Sequence, residues 1–256
     1  MKVVILAGGL GTRISEESFL VPKPMIRIGD QPILWHIMKH FSSYGFNDFI
    51  ICCGYKQHVI KDYFNNYPLY TSNVTFDFSK NPIKEFHEQT DLWKVTLIDT
   101  GLNTMTGGRL KQIQKYLDGD TFLMTYGDGV SNIDLNELLK HHITHQKLVT
   151  ISAVQPSGRF GKIEIDSDSS IKSFKEKDKD DSGWINGGFM VINKRVLDMI
   201  DGNDVVFEHE PLERLTQMKQ MSAYKHHGFW QCMDTMRDKD YLEKLWISNH
   251  APWKVW

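Results

Sequence analysis

The chain has 256 residues, 41% of them hydrophobic and 24% charged, which is ordinary for a globular α/β protein with a real core. A formal net charge of −2 provides no basic field for nucleic acid or an anionic membrane, so an anionic ligand must be met by a few local Lys and Arg residues. No apolar run approaches the ~20 residues that span a bilayer. The short run Val3–Ala7 leads into glycines and not into a cleavage site, so the expected address is the cytoplasm. Three cysteines, adjacent Cys52 and Cys53 with distant Cys232, form neither a disulfide framework nor a zinc spacing.

In chain order, Val3–Leu6 reads as a short buried strand. Pro32 opens a helix that stops near Gly45, and Phe49–Cys53 is the next strand. A helix then runs through Ile60 and Phe64, Lys94–Ile98 is a strand, and Arg109–Leu117 a helix. Thr121–Tyr126 is a strand ending in Gly127-Asp128-Gly129, followed by a helix over Leu135–His145. This alternation predicts a three-layer, Rossmann-like, mostly parallel sheet covered on both faces, with ligands outside the carboxyl ends of the strands.

From about Ile151 the pattern turns β-rich. Ile151–Gln155, Phe160–Ile165 and Ile171–Glu176 read as strands, with a tight turn over Asp166–Ser170 and a charged, mobile loop from Lys177 to Gly183. A strand at Phe189–Ile192, helices near Glu210–Lys219 and Arg237–Asn249, and an aromatic tail complete the chain. With no linker in sight, residues 1–256 are expected to form a single domain. Residues 1–150 and 151–256 read as its two halves.

Leu6-Ala7-Gly8-Gly9-Leu10-Gly11-Thr12-Arg13 follows the first predicted strand. Its glycines let backbone N–H groups approach phosphates. The spacing is neither the dinucleotide G-x-G-x-x-G nor the P-loop G-x-x-x-x-G-K-[ST], which excludes a nicotinamide-binding domain of that type. Pro22-Lys23-Pro24 fixes the backbone on both sides of one ammonium. Asp128, between glycines after a strand, reads as a metal ligand or a turn aspartate. Asp234, ahead of Thr235-Met-Arg-Asp238, reads as a metal ligand or a helix cap. Arg109 points to phosphate or to solvent. His141 and His145 lack the glutamate of H-E-x-x-H and read as a helix face. Trp246, Trp253 and Trp256 bury against the body or against a neighbouring subunit.

Gly8–Arg13 with Pro22-Lys23-Pro24 resembles the signature of the sugar-1-phosphate nucleotidyltransferases. Tyr126-Gly-Asp-Gly129, Phe174-Lys-Glu-Lys177, Ile185-Asn-Gly-Gly-Phe189 and Gly228–Asp234 extend the likeness along nearly the whole chain. The resemblance implies that Arg13 and Lys23 serve catalysis, with Mg²⁺ held by Asp128 and Asp234. It also implies nucleotide binding by Leu6 to Arg13, Lys23, Thr104, Gly107, Gly108, Arg109 and Asp128, and sugar-phosphate binding by Glu176, Lys177, Asn186 and Gly187. Many members have proline directly after the Glu–Lys pair; Asp178 stands there in this chain. Ile14–Glu17, Ile50–Tyr55, Met105–Arg109 and the Ala251-Pro-Trp-Lys tail are most similar to members using CTP and glucose 1-phosphate. The alternatives are the same reaction with UTP, dTTP or GTP, or a silent nucleotide-sugar-binding regulatory protein. The likeness further implies a nucleotide-binding half over residues 1–150, a sugar-phosphate-binding half with C-terminal oligomerisation elements over 151–256, and a homo-oligomer, a trimer or hexamer.

Overall fold

The computed structural model describes residues 1–79, 83–87, 91–155, 162–165, 171–175 and 183–256; of residues 13, 15, 16, 83, 162–165 and 171–175 only the backbone is described. Seven strands form one sheet: β1 (Lys2–Ala7), β2 (Asp48–Cys53), β3 (Lys94–Asp99), β4 (Thr121–Tyr126), β5 (Val149–Val154), β6 (Ile185–Asn193) and β7 (Met221–His226). Their spatial order is β7-β5-β6-β4-β1-β2-β3. The β1/β2, β1/β4, β2/β3 and β5/β7 pairs are parallel, whereas β6 runs antiparallel to both β4 and β5. The sheet is thus mixed but mostly parallel, as the alternating pattern predicts.

Alternation along β1 shows why both faces are covered. Val3, Ile5 and Ala7 enter one core cluster, and Val4 and Leu6 the other. The first cluster receives α1 (Ile33–Ser43), α2 (Gln57–Thr71), α4 (Leu135–His145) and α6 (Met236–Ile247), through residues such as Leu34, Ile60, Leu138 and Leu242. The second receives α3 (Thr106–Ile113) and α5 (Glu210–Gln217), through Leu110 and Leu215. The C-terminal tail joins the first: Trp253 is fully buried, stacked on Phe229 and Trp246. Trp246 and Trp256 are partly buried against the same cluster. Trp253 Nε1 lies 3.3 Å from His36 Nδ1, and His36 Nε2 lies 2.9 Å from Ile28 O. Donation by both N–H groups fits only the neutral Nε2–H tautomer.

Several boundaries differ from the sequence expectations, for local reasons. α3 begins at Thr106, three residues before Arg109. Gly107 and Gly108 are poor helix formers, but Val205 O accepts both their N–H groups, at 2.9 and 3.3 Å. A Cβ on Gly108 would stand 2.5 Å from Asn203 O, so this close approach requires glycine. α2 continues past Phe64 to Thr71. The hairpin of Asn73–Asp77 with Ile83–His87, the edge strand β7, and the pairing of Gly129–Ser131 with Trp230–Cys232 are not among the strands expected from sequence, although Asn73–Asp77 does alternate polar and apolar residues. Lys162–Ile165 pairs antiparallel with Ile171–Lys175. The expected turn at 166–170 and loop residues 177–182 lie outside the described residues.

Candidate functional site

β1 and β4 are adjacent and parallel, but their chain connections leave in opposite directions across the sheet, which opens a crevice at their carboxyl ends. A cavity of about 590 Å³ lies there, within the range for small-molecule sites. Leu6 to Gly9, Gly11 and Thr12 line it after β1. Gly11 holds a left-handed φ of +67°, and a Cβ there would press on Ser18 and Lys23. Leu10 is half exposed, and Arg13 is described in its backbone only.

Lys23 starts a short 3₁₀ turn, Lys23–Met25, in which Met25 N donates to Pro22 O at 2.7 Å. Gly127 permits Pro24 to pack closely, because a Cβ at Gly127 would lie 2.9 Å from Pro24 Cγ. The buried Lys23 ammonium then meets two carboxylates from distant parts of the chain, Asp128 Oδ2 at 2.6 Å and Asp234 Oδ1 at 2.7 Å. Burial alone would depress its pKa; the two carboxylates outweigh burial and raise it. Asp128 is set by the end of β4 and by Met233 N, which donates to its carbonyl at 2.8 Å. Asp234 precedes the helix cap and is not the cap itself. Thr235 caps α6 in a capping box with Asp238, whose Oδ2 also accepts the Asp234 N–H at 3.1 Å.

Two carboxylates converging on one positive charge form a hard, all-oxygen donor set. That suits a divalent cation that completes its shell with water and phosphate. Among the described residues no group of three or more His, Cys, Asp or Glu could hold a metal by itself. His141 and His145 stack on each other at 3.8 Å, and His145 Nδ1 lies 2.8 Å from the carbonyl of His141. Cys232 also lines the cavity, its thiol pushed up to about 12 by burial and then by Asp234 and Asp128, so it stays protonated.

Arg109 is buried, so of its two expected settings the solvent-facing one does not hold. Its Nη1 donates to Thr100 Oγ1 (2.7 Å), Gly101 O (2.8 Å) and Cys53 O (3.2 Å), and its Nη2 to Gly8 O (3.0 Å) and Leu102 O (3.2 Å). The guanidinium thus ties the glycine turn after β1 to the ends of β2 and β3 while still bordering the cavity. A side chain at Gly8 would collide with it. Thr104 lines the cavity nearby, whereas Gly107 and Gly108 are buried and do not.

On the β6 side, Asn186 and Gly187 line the cavity. Asn186 Oδ1 accepts from Gly188 N at 2.8 Å, and Gly187 O accepts from Trp230 Nε1 at 2.6 Å. Glu176 and Lys177 lie outside the described residues. Glu208 is a cavity residue that sequence reading missed. It sits in an acidic run before α5 that reads as an ordinary helix head. Its partners, Thr106 Oγ1 at 2.6 Å and the Tyr126 hydroxyl, are about 80 to 100 residues away.

The fold and this arrangement of one lysine and two aspartates at a glycine turn define a phosphate-handling α/β enzyme class, and the chain belongs to the nucleotidyl transferase family, whose model matches residues 2–243. A glucose-1-phosphate cytidylyltransferase of Salmonella typhi is 52% identical to it over 257 residues, covering 100% of both chains. A probable glucose-1-phosphate cytidylyltransferase of Bacillus subtilis is 42% identical, again over 100% of both. Among solved structures, HddC from Yersinia pseudotuberculosis shares the fold with a TM-score of 0.69 and 24% identity, over 96% of this chain and 99% of that one. Among the described residues, no helix is long and apolar enough to cross a membrane.

Proposed function

We propose that the chain transfers the cytidylyl group of CTP to α-D-glucose 1-phosphate, giving CDP-glucose and pyrophosphate. The observation that carries this reading is the convergence of Lys23, Asp128 and Asp234 beside the glycine turn. The full-length likeness to glucose-1-phosphate cytidylyltransferases supports the choice of substrates. An oxygen of the sugar phosphate attacks the α-phosphorus of CTP, the bond to the bridging oxygen of the β-phosphate breaks, and pyrophosphate leaves. The bound divalent cation, Mg²⁺ on this reading, neutralises phosphate charge, and Asp128 and Asp234 would hold it. Lys23 and Arg13 stabilise charge on the triphosphate and in the transition state, where one such donor contributes about 10²–10³ in rate. Leu6 to Thr12, Thr104 and Arg109 shape the nucleotide side, with Gly107 and Gly108 supporting it from beneath. Asn186 and Gly187, with Glu176 and Lys177, take the sugar phosphate. Residues 1–150 and 151–256 then act as nucleotide and sugar halves of one domain. The same reading places the enzyme in the cytoplasm as a homo-oligomer, trimer or hexamer, supplying deoxysugar synthesis for bacterial surface polysaccharides.

The test offers CTP, UTP, dTTP and GTP separately with glucose 1-phosphate and magnesium, and measures pyrophosphate. CTP should be strongly preferred. Release with UTP but not CTP would overturn the base assignment, and no release with any of the four would favour a silent nucleotide-sugar-binding protein.

A further inference from the structure

Within the cytidylyl-transfer reading above, on which it rests, we propose that Glu208 is a hydrogen-bond acceptor for the uncharged part of a bound substrate. The donor it takes is a hexose hydroxyl or the 4-amino group of cytosine. Glu208 belongs to the segment before α5, which is stitched to the head of α3: Met105 N donates to Asn203 O at 2.8 Å, and Gly107 N to Val205 O at 2.9 Å. The position of its carboxylate in the cavity wall is therefore set by backbone on two sides.

The carboxylate is also oriented. Thr106 Oγ1 accepts from Phe207 N at 2.9 Å, so its own proton is directed to Glu208 Oε2, 2.6 Å away. The Tyr126 hydroxyl donates to Oε1, and its pKa is raised by burial first and by Glu208 second, so the phenol keeps its proton. Each carboxylate oxygen spends one lone pair on these hydroxyls and keeps another. Among the described residues no Lys or Arg pairs with Glu208. A negative acceptor in the cavity wall repels phosphate, but matches a neutral hydroxyl or amino donor. Tyr126 packs against Gly188, where a Cβ would lie 2.7 Å from the ring, while Thr106 heads α3. Glu208 consequently stands at the seam between the proposed sugar and nucleotide sides.

Calorimetric titration of the wild type, Glu208→Gln and Thr106→Val with CDP-glucose, UDP-glucose and CDP separates the two donor sources. If the hexose is the donor, the affinity gained from the glucosyl group falls about tenfold to a hundredfold in Glu208→Gln, with an unchanged CDP-glucose to UDP-glucose ratio. If cytosine is the donor, that ratio collapses by a similar factor while the glucosyl gain persists. Thr106→Val, which keeps the carboxylate but loosens it, should shift the same ratio in the same direction by a smaller factor. It carries the test should Glu208→Gln fail to fold. Both ratios unchanged in the folded variants, or no binding by the wild type, would overturn the proposal. A wild type that binds CDP-glucose but releases no pyrophosphate from CTP would break the catalytic reading first, whereas unchanged ratios in a protein that does release it would break this proposal alone.

Discussion

Replacing Lys23 by methionine should both destabilise the protein and make it more responsive to a divalent cation. The ammonium lies 2.6 and 2.7 Å from Asp128 and Asp234, whose side chains are 29% and 17% exposed. Removing one partner of a buried ion pair costs about 3–5 kcal/mol, because a charge is left uncompensated. Both carboxylates keep some water here, so about 2–3 kcal/mol is the reasonable magnitude. In a chain of this size each kcal/mol moves the melting temperature by about 2–4 °C, which gives a fall of roughly 5–10 °C in chelator. The two aspartates then face each other without the Lys23 ammonium, and a dication becomes the better counter-ion. If it binds the variant tenfold more tightly than the wild type, saturation returns about 1.4 kcal/mol more to the variant. Thermal melts of both proteins in chelator and in millimolar magnesium chloride read this directly. Pyrophosphate release by the variant should fall about 10²–10³-fold. Equal melting temperatures in chelator, or a cation shift at least as large in the wild type, would refute the reasoning.

Arg109→Lys should cost about 2–4 kcal/mol in urea unfolding and weaken nucleotide binding, because a single ammonium cannot serve the five oxygens that the guanidinium holds. Gly8→Ala should act in the same direction, and a variant of either kind with wild-type nucleotide affinity would show that the strut is not needed. Asp238→Ala should lose about 1–2 kcal/mol by breaking the capping box and, by freeing the Asp234 N–H, reduce the melting shift given by magnesium; an unchanged shift argues against that link. Burial above all lowers both His36 and His40 to about 4. Below pH 6.5 the unfolded chain therefore binds protons that the folded chain refuses until near 4. Their contribution, about 3 kcal/mol each, is complete above pH 6.5 and is lost as pH falls toward 4. Urea unfolding at pH 7 and pH 5 should show the loss, and His36→Gln should flatten the slope.

Much of the architecture was legible because a buried strand writes itself as a short apolar run and a half-buried helix as apolar residues three and four apart: the strand Thr121–Tyr126 and the helix Leu135–His145 have the boundaries expected of them. The edge strand β7 and the Trp230–Cys232 pairing did not, since their burial is partial and their register depends on distant chain. The same division runs through the site. Lys23 is marked by its flanking prolines and Asp128 by its flanking glycines, both local signals. Arg109 and Glu208 are defined by partners tens of residues away, Gly8, Cys53, Thr106 and Tyr126 among them, and no local pattern announces such contacts.

The reversed direction of β6 bears on how this enzyme could diversify. β5 leaves the sheet at the edge that carries the cavity, and β6, running the other way, re-enters at that same edge. Antiparallel neighbours joined at one edge need no crossover beneath the sheet, unlike parallel ones. Insertions or exchanges in the stretch between these two strands leave the register of Val149–Val154 with Ile185–Ile192 untouched. Closure entropy rises by only about 0.6 kcal/mol for each doubling of loop length. Grafting this stretch from a relative of different substrate choice is thus a thermodynamically mild operation, and it makes the excursion a natural unit of exchange.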